Sequence, residues 1–286
     1  MSSNNVNMSA TTNISNNSGK GKKKNIFGLV LIGVCVIVIL YFIYSIIVGY
    51  KNYSIYSPYF IRDIMDGTFS QKIDSWKVAQ PMDNQYGTEY SYCFWIYIKD
   101  TNFDSSCDEG NLSAFKHVFH KGSYDYSKNH LPLLQSPGVW LYPNTNKLHI
   151  RFNTYQNVIE SSDVGNIPVN AWTHVSVLLI GNSVDVFING NLKKRQKLRG
   201  VPKLNYDSLY ISNWGGFQGY LSNFRYFNYA IQPFMIEYLM NEGHSNKFDS
   251  KNKSGVNSPA PQLSNEYWMT VGYPNTIGAP AGTTTN

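Results

Sequence analysis

Ser183-Val184-Asp185-Val186-Phe187-Ile188-Asn189-Gly190 is the stretch that decides the fold class. Side chains alternate along an extended strand, so Val184, Val186 and Ile188 fall on one face and Asp185 and Phe187 on the other. The Asn189-Gly190 pair that follows is the strongest hairpin signal in the chain, because both residues tolerate positive φ. Working outward, similar short runs recur at Tyr90–Ile98, Gly138–Tyr142, Lys147–Asn153, Thr173–Ile180, Ser208–Ser212 and Tyr220–Tyr226. Many short strands separated by turn residues predict an all-β sandwich over residues 61–245. Aromatics make up 15% of the chain, with 22 Tyr, which suits β structure. One late segment, Gln232–Asn241, has helical character. Its Phe234/Tyr238 and Met235/Leu239 pairs are four apart and are expected to cover an open end of the sandwich. Residues 246–286 turn to Asn, Ser, Pro, Gly and Thr, a low-complexity tail expected to lack order.

On the other side of the domain lies one uninterrupted apolar segment. Asn25 to Tyr50 contains no charged residue. As a helix, Ile26 to Val48 reaches roughly 35 Å at about 1.5 Å per residue, enough to cross a hydrocarbon core of about 30 Å. The run is long for a cleaved signal peptide, and Val48-Gly49-Tyr50 is a poor cleavage site. Residues 25–50 are therefore expected to form a single transmembrane helix. Lys20, Lys22, Lys23 and Lys24 crowd one flank and Lys51 stands alone on the other. The positive-inside rule then keeps residues 1–24, a disordered basic tail, in the cytosol and sends residues 51–286 to the extracytoplasmic side. Tyr41, Tyr44, Tyr50 and Tyr53 make an aromatic belt, and residues 51–60 a short stalk.

The formal charge of +6 is partly local: four of the 24 Lys and Arg belong to the tail, leaving 20 against 18 acids beyond it. That balance does not suggest a nucleic-acid binder, whose basic residues should be many and clustered. Cys35 lies in the apolar run as a small apolar residue. Cys93 and Cys107 are the candidate disulfide. Their bridge would contribute about 3 kcal/mol by loop-entropy arithmetic, and spacing alone does not fix its geometry.

Three motifs stand in order: Val169-Asn170-Ala171-Trp172-Thr173-His174-Val175-Ser176-Val177, then Asp185-Val186-Phe187-Ile188-Asn189-Gly190, then Gly219-Tyr220-Leu221-Ser222-Asn223-Phe224-Arg225-Tyr226-Phe227 before Ala230-Ile231. Their order resembles the concanavalin A-like lectin/glucanase superfamily in its laminin-G-like form. The resemblance implies a two-sheet antiparallel jelly-roll sandwich. A narrower resemblance rests on Tyr90–Ile98, Lys116-His117-Val118-Phe119-His120-Lys121-Gly122 and Gly200-Val201-Pro202-Lys203-Leu204-Asn205. These segments look like anchored lectin-like proteins of large nucleocytoplasmic DNA viruses, which implies a virion or host membrane.

Glycosidases of this superfamily carry an E-x-D-x-x-E strand, and retaining enzymes need two carboxylates about 5 Å apart. The chain has only six Glu, and none starts that motif. Glu160-Ser161-Ser162-Asp163 has the wrong spacing and reads as a loop, so no catalytic residue is assigned. His117 and His120, three apart in a strand, are expected on opposite faces and unable to share a metal. Trp95, Trp172 and His174 read as structural residues of the sheets. For calcium, which the resemblance makes a candidate cofactor, Asp104, Asp108 and Glu109 are the candidate carboxylates, with a solvated acidic loop as the plainer reading.

For ligand binding, the run Lys193-Lys194-Arg195-Gln196-Lys197-Leu198-Arg199 with Lys203 follows the hairpin and reads as an exposed edge. Such lysines discourage edge pairing, and they would also suit sulfated glycans, anionic headgroups or an acidic partner. Trp214, in Asn213-Trp214-Gly215-Gly216-Phe217, is the sugar-stacking candidate, with an aromatic plug as the alternative. Asn111 and Asn252 head outward-facing glycosylation sequons, while those at Asn7, Asn13 and Asn16 would stay bare. The expectation is a non-enzymatic, membrane-anchored lectin-like module recognising a glycan or protein ligand, in a virion membrane if the narrower resemblance holds. A structural tether between a viral membrane and capsid proteins, with Tyr267-Trp268 in contact, is the alternative. A divergent glycoside hydrolase is the third reading and lacks its carboxylates.

Overall fold

The computed structural model describes residues 18–84, 87–108, 111–125, 131–157 and 159–249. Asn7, Asn13, Asn16, Glu109, Asn252 and the Tyr267-Trp268 pair lie outside the described residues. Helix α1 (Ser18–Tyr56) comes first. It is followed by β1 (Tyr59–Ile61), β2 (Met65–Asp66), β3 (Gln71–Ile73), β4 (Met82–Asn84), β5 (Gly87–Ile98), β6 (Lys116–Gly122) and β7 (Gln135–Leu141). Then come β8 (Leu148–Phe152), β9 (Glu160–Val164), β10 (Trp172–Ile180), β11 (Ser183–Ile188), β12 (Asn191–Lys197), β13 (Leu209–Ile211), β14 (Gly219–Phe227) and helix α2 (Pro233–Glu242).

Among the described residues the strands form two antiparallel sheets facing each other as a jelly-roll sandwich. The larger runs β1-β14-β5-β10-β11-β12, with β2 on β14 and β4 on β5, and the smaller runs β3-β13-β6-β7-β8-β9. Strand β11 pairs on one side with β10, Val175 with Ile188 through Ile180 with Ser183, and on the other with β12 in the hairpin that closes at Ile188 and Asn191. Asn189 (φ 48°) and Gly190 (φ 75°) make the turn, and the Asn189 Oδ1 accepts the His174 N–H at 2.8 Å. Val184, Val186 and Ile188 enter the core between the sheets, while Phe187 joins a cluster on the outer face. Aromatic rings fill the middle of that core, with Phe119 against Phe224 at 4.8 Å and Tyr92 against Tyr226 at 4.9 Å.

Helix α2 differs from expectation. Ile236 and Leu239 are its buried residues, packed on Cys93, Leu178, Phe187 and Phe227. The helix therefore lies along the outer face of the larger sheet rather than over an open end, and Phe234 and Tyr238 face solvent at 68% and 60% exposure. Beyond α2 the segment 243–249 stays on this sheet. Ile64 N–H donates to the Lys247 carbonyl at 2.7 Å, Asp249 N–H donates to that of Ile64, and His244 stacks on Trp172 at 4.6 Å. The domain thus continues past residue 245.

Cys93 and Cys107, the candidate pair, are free thiols in the structure. Cys93 is buried under α2, where desolvation pushes its thiol up to about 12. Cys107 lies instead in the β5–β6 loop, where its carbonyl accepts from Asn144 of the β7–β8 turn at 3.0 Å. Cys93 packs in the cluster under α2, to which Cys107 does not belong.

Helix α1 is long and apolar enough to cross a membrane by length and composition, a property that N-terminal signal sequences share. Its apolar side chains from Ile26 to Ile47 are exposed, and none of its most apolar window is buried. It absorbs the expected stalk: the chain is helical to Tyr56 and pairs with β14 from Tyr59. The joint is built around Arg225 of β14, which is 3% exposed. Its guanidinium donates to the hydroxyls of Tyr53 and Tyr59, the second at 3.2 Å, and to the Ser57 carbonyl at 3.4 Å. It also lies over the rings of Tyr53, Tyr59 and Phe227 at 4.6 to 4.9 Å. Asn228 and Tyr226 N–H groups add bonds to the carbonyls of Tyr56 and Pro58.

Candidate functional site

The outer face of the smaller sheet carries a shelf of stacked rings. Inner residues Phe119, Val139, Leu141, Leu209 and Ile211 belong to the core, which leaves His117 and His120 of β6, Trp140 of β7 and Tyr210 of β13 facing outward. Trp214 reaches over them from the turn after β13. It is parallel to Trp140 within 10° at 5.8 Å, stacks on His120 at 5.4 Å and meets Tyr124 at 5.2 Å. His120 stacks in turn on Tyr210 at 5.1 Å. The turn that places Trp214 has positive φ at Ser212, Trp214, Gly215 and Gly216. At Gly216 a Cβ would sit 2.0 Å from the Gly67 carbonyl oxygen, so only glycine fits there.

The histidines correct a sequence expectation. They share one face, with His117 Nε2 2.8 Å from His120 Nδ1. Strand β6 shifts register against β7 between His117 and Phe119 and again between His120 and Gly122. Such bulges break the alternation of faces, so Val118 and Phe119 both turn inward. The pair has one consistent protonation pattern. Asn213 N–H donates to His117 Nδ1 at 2.9 Å, which makes that nitrogen an acceptor. His117 Nε2–H then donates to His120 Nδ1, and His120 Nε2–H to the Ser123 carbonyl at 2.9 Å. Both rings are neutral in this chain of bonds. Burial holds His117 well below the ordinary histidine range and His120 down to about 4. Two nitrogens in mutual hydrogen bonding leave no lone pair for a metal. Among the described residues, no group of three or more His, Cys, Asp or Glu is placed to hold one.

The shelf grades from dry to wet. His117, His120 and Trp140 are buried, Trp214 and Tyr210 half-buried, and Tyr124 is 60% exposed. Polar groups flank the exposed rim: the Ser123 hydroxyl bonds the Asp125 carboxylate. Behind it, buried Lys121 donates to the carbonyls of Asn205 and Asp207, both at 2.9 Å. Desolvation lowers that ammonium to about 8. Half-buried ring faces beside hydrogen-bonding groups suit stacking against a flat apolar surface such as one face of a sugar ring.

The other candidate residues are not brought together with Trp214. Strand β12 is the far edge of the larger sheet. Arg195 is committed to the buried Asp185, with Nε–Oδ1 2.7 Å and Nη2–Oδ2 2.6 Å. Lys194 and Gln196 reach across to the backbone of β9, closing the gap between the sheets. Lys193 and Lys197 are exposed. In the acidic loop, Asp104 accepts from Ser106 N–H at 2.9 Å and its hydroxyl at 2.6 Å, bonds that lower its carboxyl. Asp108 is exposed. Asn111 is exposed and accepts from Ser113 N–H at 3.1 Å, a local cap of one short turn. Glu160 is in strand β9, not a loop. Burial would raise its carboxyl, yet bonds from Arg199 N–H, Thr154, Asn157 and Gly200 N–H hold it low. It staples the chain beyond β12, which accounts for it structurally.

Tyr124, Tyr210 and Trp140 were missed from sequence as partners of Trp214. The signal available was two histidines beside a strand with turn-like glycines, Lys121-Gly122 and Pro137-Gly138, where alternation fails.

Several solved structures are distantly similar to this chain. The binding domain of botulinum neurotoxin DC, solved with rat synaptotagmin II, is 15% identical with a TM-score of 0.40, over 54% of this chain and 35% of that one. A structure of botulinum neurotoxin type C, whose cell entry is described as dependent on two ganglioside molecules, is 16% identical with a TM-score of 0.40 and the same coverage. A mutant of HCR/D is 12% identical with a TM-score of 0.45, over 63% of this chain and 41% of that one. This chain spans less than half the length of the solved chains it matches. Comparison with curated proteins gives no match. The Laminin_G_3 family model, by contrast, matches residues 73–236, more than half of the sequence, and spans both sheets. The chain belongs to the concanavalin A-like lectin/glucanase superfamily, in its Laminin_G_3 family.

Proposed function

We propose that this chain is a non-enzymatic, membrane-anchored binding module that recognises a glycan or glycan-bearing protein on the outer face of its smaller sheet. The observation that carries this reading is the graded shelf ending in Trp214 and exposed Tyr124. An apolar rim this well supported from beneath loses little freedom on binding. The E-x-D-x-x-E strand of the glucanase members is absent, and buried Glu160 and Asp185 are held by structural bonds. Helix α1 serves as the anchor, with residues 1–24 cytosolic. The narrower resemblance favours a virion membrane.

The test is a glycan array probed with the full chain in detergent, with calcium and again with chelator. Saturable binding that Trp214→Ala abolishes and Tyr124→Ala weakens is the expected result. Loss of binding with chelator would promote the Asp104–Glu109 loop from solvated to functional. A blank array from folded protein overturns the glycan reading. A second reading, a tether between a viral membrane and capsid proteins, is favoured by the Arg225 joint, since a tether must transmit position. Stable co-purification with a coat protein, unaffected by Trp214→Ala, would select it.

A further inference from the structure

A cleft of about 220 Å³ opens between the last turns of α1 and the corner formed by β1, β14 and α2. Its chemistry comes from Tyr53, Tyr59, Arg62, Arg225, Tyr238 and Glu242. Buried Arg225 is satisfied by neutral oxygens, and among the described residues no carboxylate lies within ion-pair distance of it or of exposed Arg62. Arg62 lies over the Tyr59 ring at 4.5 Å. The Tyr59 hydroxyl accepts from Arg225 at 3.2 Å and donates to Glu242, whose two oxygens are both 3.1 Å away. One phenol therefore joins a cationic wall to an anionic one.

Place and size restrict the occupant. Tyr50 also lines the cleft and stands two residues beyond Val48, the end of the apolar run. Tyr50 and Tyr53 are thus about 3 and 8 Å past it along the helix. That is the depth of the headgroup layer, which adds roughly 5–8 Å on each side of the hydrocarbon. The volume is below the 300–1,000 Å³ usual for drug-sized ligands. The exposed Tyr238 ring and, one turn away, Phe234 add aromatic surface beside it.

We propose that this cleft holds the zwitterionic headgroup of a phospholipid from the bilayer that α1 enters, with the phosphate at Arg62 and the ammonium beside Glu242 and the Tyr238 ring. The inference rests on the membrane-anchor reading of α1. A phosphate suits the guanidinium, and an ammonium suits both the carboxylate and an aromatic face. A purely anionic headgroup, or free phosphate, would answer the two guanidiniums but leave Glu242 without a cation.

The test uses the full chain in nanodiscs made of equal parts phosphatidylethanolamine and phosphatidylglycerol, with retained lipid read by native mass spectrometry after release. Preferential retention of phosphatidylethanolamine, at least about tenfold, is expected. Arg62→Ala should cut retention by about tenfold, and Glu242→Gln should move the preference toward phosphatidylglycerol. Both side chains are exposed, and near-UV circular dichroism checks that the fold is kept. Equal retention of the two lipids, or indifference to both variants, overturns the proposal. Displacement of lipid by millimolar inorganic phosphate would overturn it in favour of a free-anion site. A carbonate wash separates the two levels of failure. Release of the chain from membranes sinks the anchor reading and the proposal with it, whereas a chain that stays but retains no lipid sinks the headgroup site alone.

Discussion

The two outer faces of the sandwich use the same materials to different ends. On the larger sheet, Trp95, Trp172 and Tyr220 cluster with Tyr97, while His174 sits 5.3 Å from Trp95 and His244 stacks on Trp172. On the smaller sheet, Trp140, Trp214 and Tyr210 surround His117 and His120. The first group is covered by α2 and the 243–249 segment. Among the described residues the second is covered by loop and turn residues, Trp214, Phe115 and Leu131, and its rim meets water at Tyr124. Residue type alone therefore does not separate a structural cluster from the binding surface proposed here; what lies on top of it does.

This contrast can be broken most forcefully from the covered side. Trp95 is 1% exposed, and Trp95→Ala should cost about 3–5 kcal/mol in chemical denaturation without altering ligand binding measured on the folded fraction. Acid should act on both faces alike. His120 and His174 titrate near 4 in the folded protein because burial disfavours their charge, against 6.5 for the free group. The unfolded chain binds more protons between those values, so stability is full above about pH 6.5 and falls as pH drops toward 4. Linkage puts the loss at about 3 kcal/mol for each histidine. Denaturation midpoints across pH 4–7 should show this slope, and a flat profile would mean that these rings are hydrated. Trp214→Ala should cost about 1–2 kcal/mol, since the ring is only half-buried, yet remove ligand binding. Tyr124→Ala should change stability by less than about 0.5 kcal/mol while still weakening binding. If Tyr124→Ala leaves binding intact, the shelf is a plug like its counterpart.

The sandwich was legible because its signals are local. The Asn189-Gly190 turn and the alternation of Val184, Val186 and Ile188 need no distant partner, and the motif order from Trp172 to Arg225 placed the family. What stayed hidden depends on breaks in that alternation or on long-range covering. Bulges in β6 bring His117 and His120 to one face, against a period of two. Asn223, at φ 45°, resets β14 so that Leu221 and Phe224 both point inward and Arg225 outward. For α2, the sequence offered two apolar pairs, and only docking on Cys93 and Phe187 chose the Ile236/Leu239 stripe over Phe234/Tyr238. The basic run was visible, but not that Asp185 claims Arg195.

The Arg225 joint has a consequence for geometry beyond its own bonds. A Gly/Ser-rich connector lets a domain sample a volume that grows with connector length, and its local concentration near any target is diluted accordingly. Here helix passes to strand within two residues, Ser57 and Pro58, and the guanidinium bolts the helix end to β14. Every copy then holds the outer face of its smaller sheet at one height and one tilt relative to the helix axis. An array of such copies would meet a second surface in register, so weak contacts repeated across the array would add rather than compete for orientation.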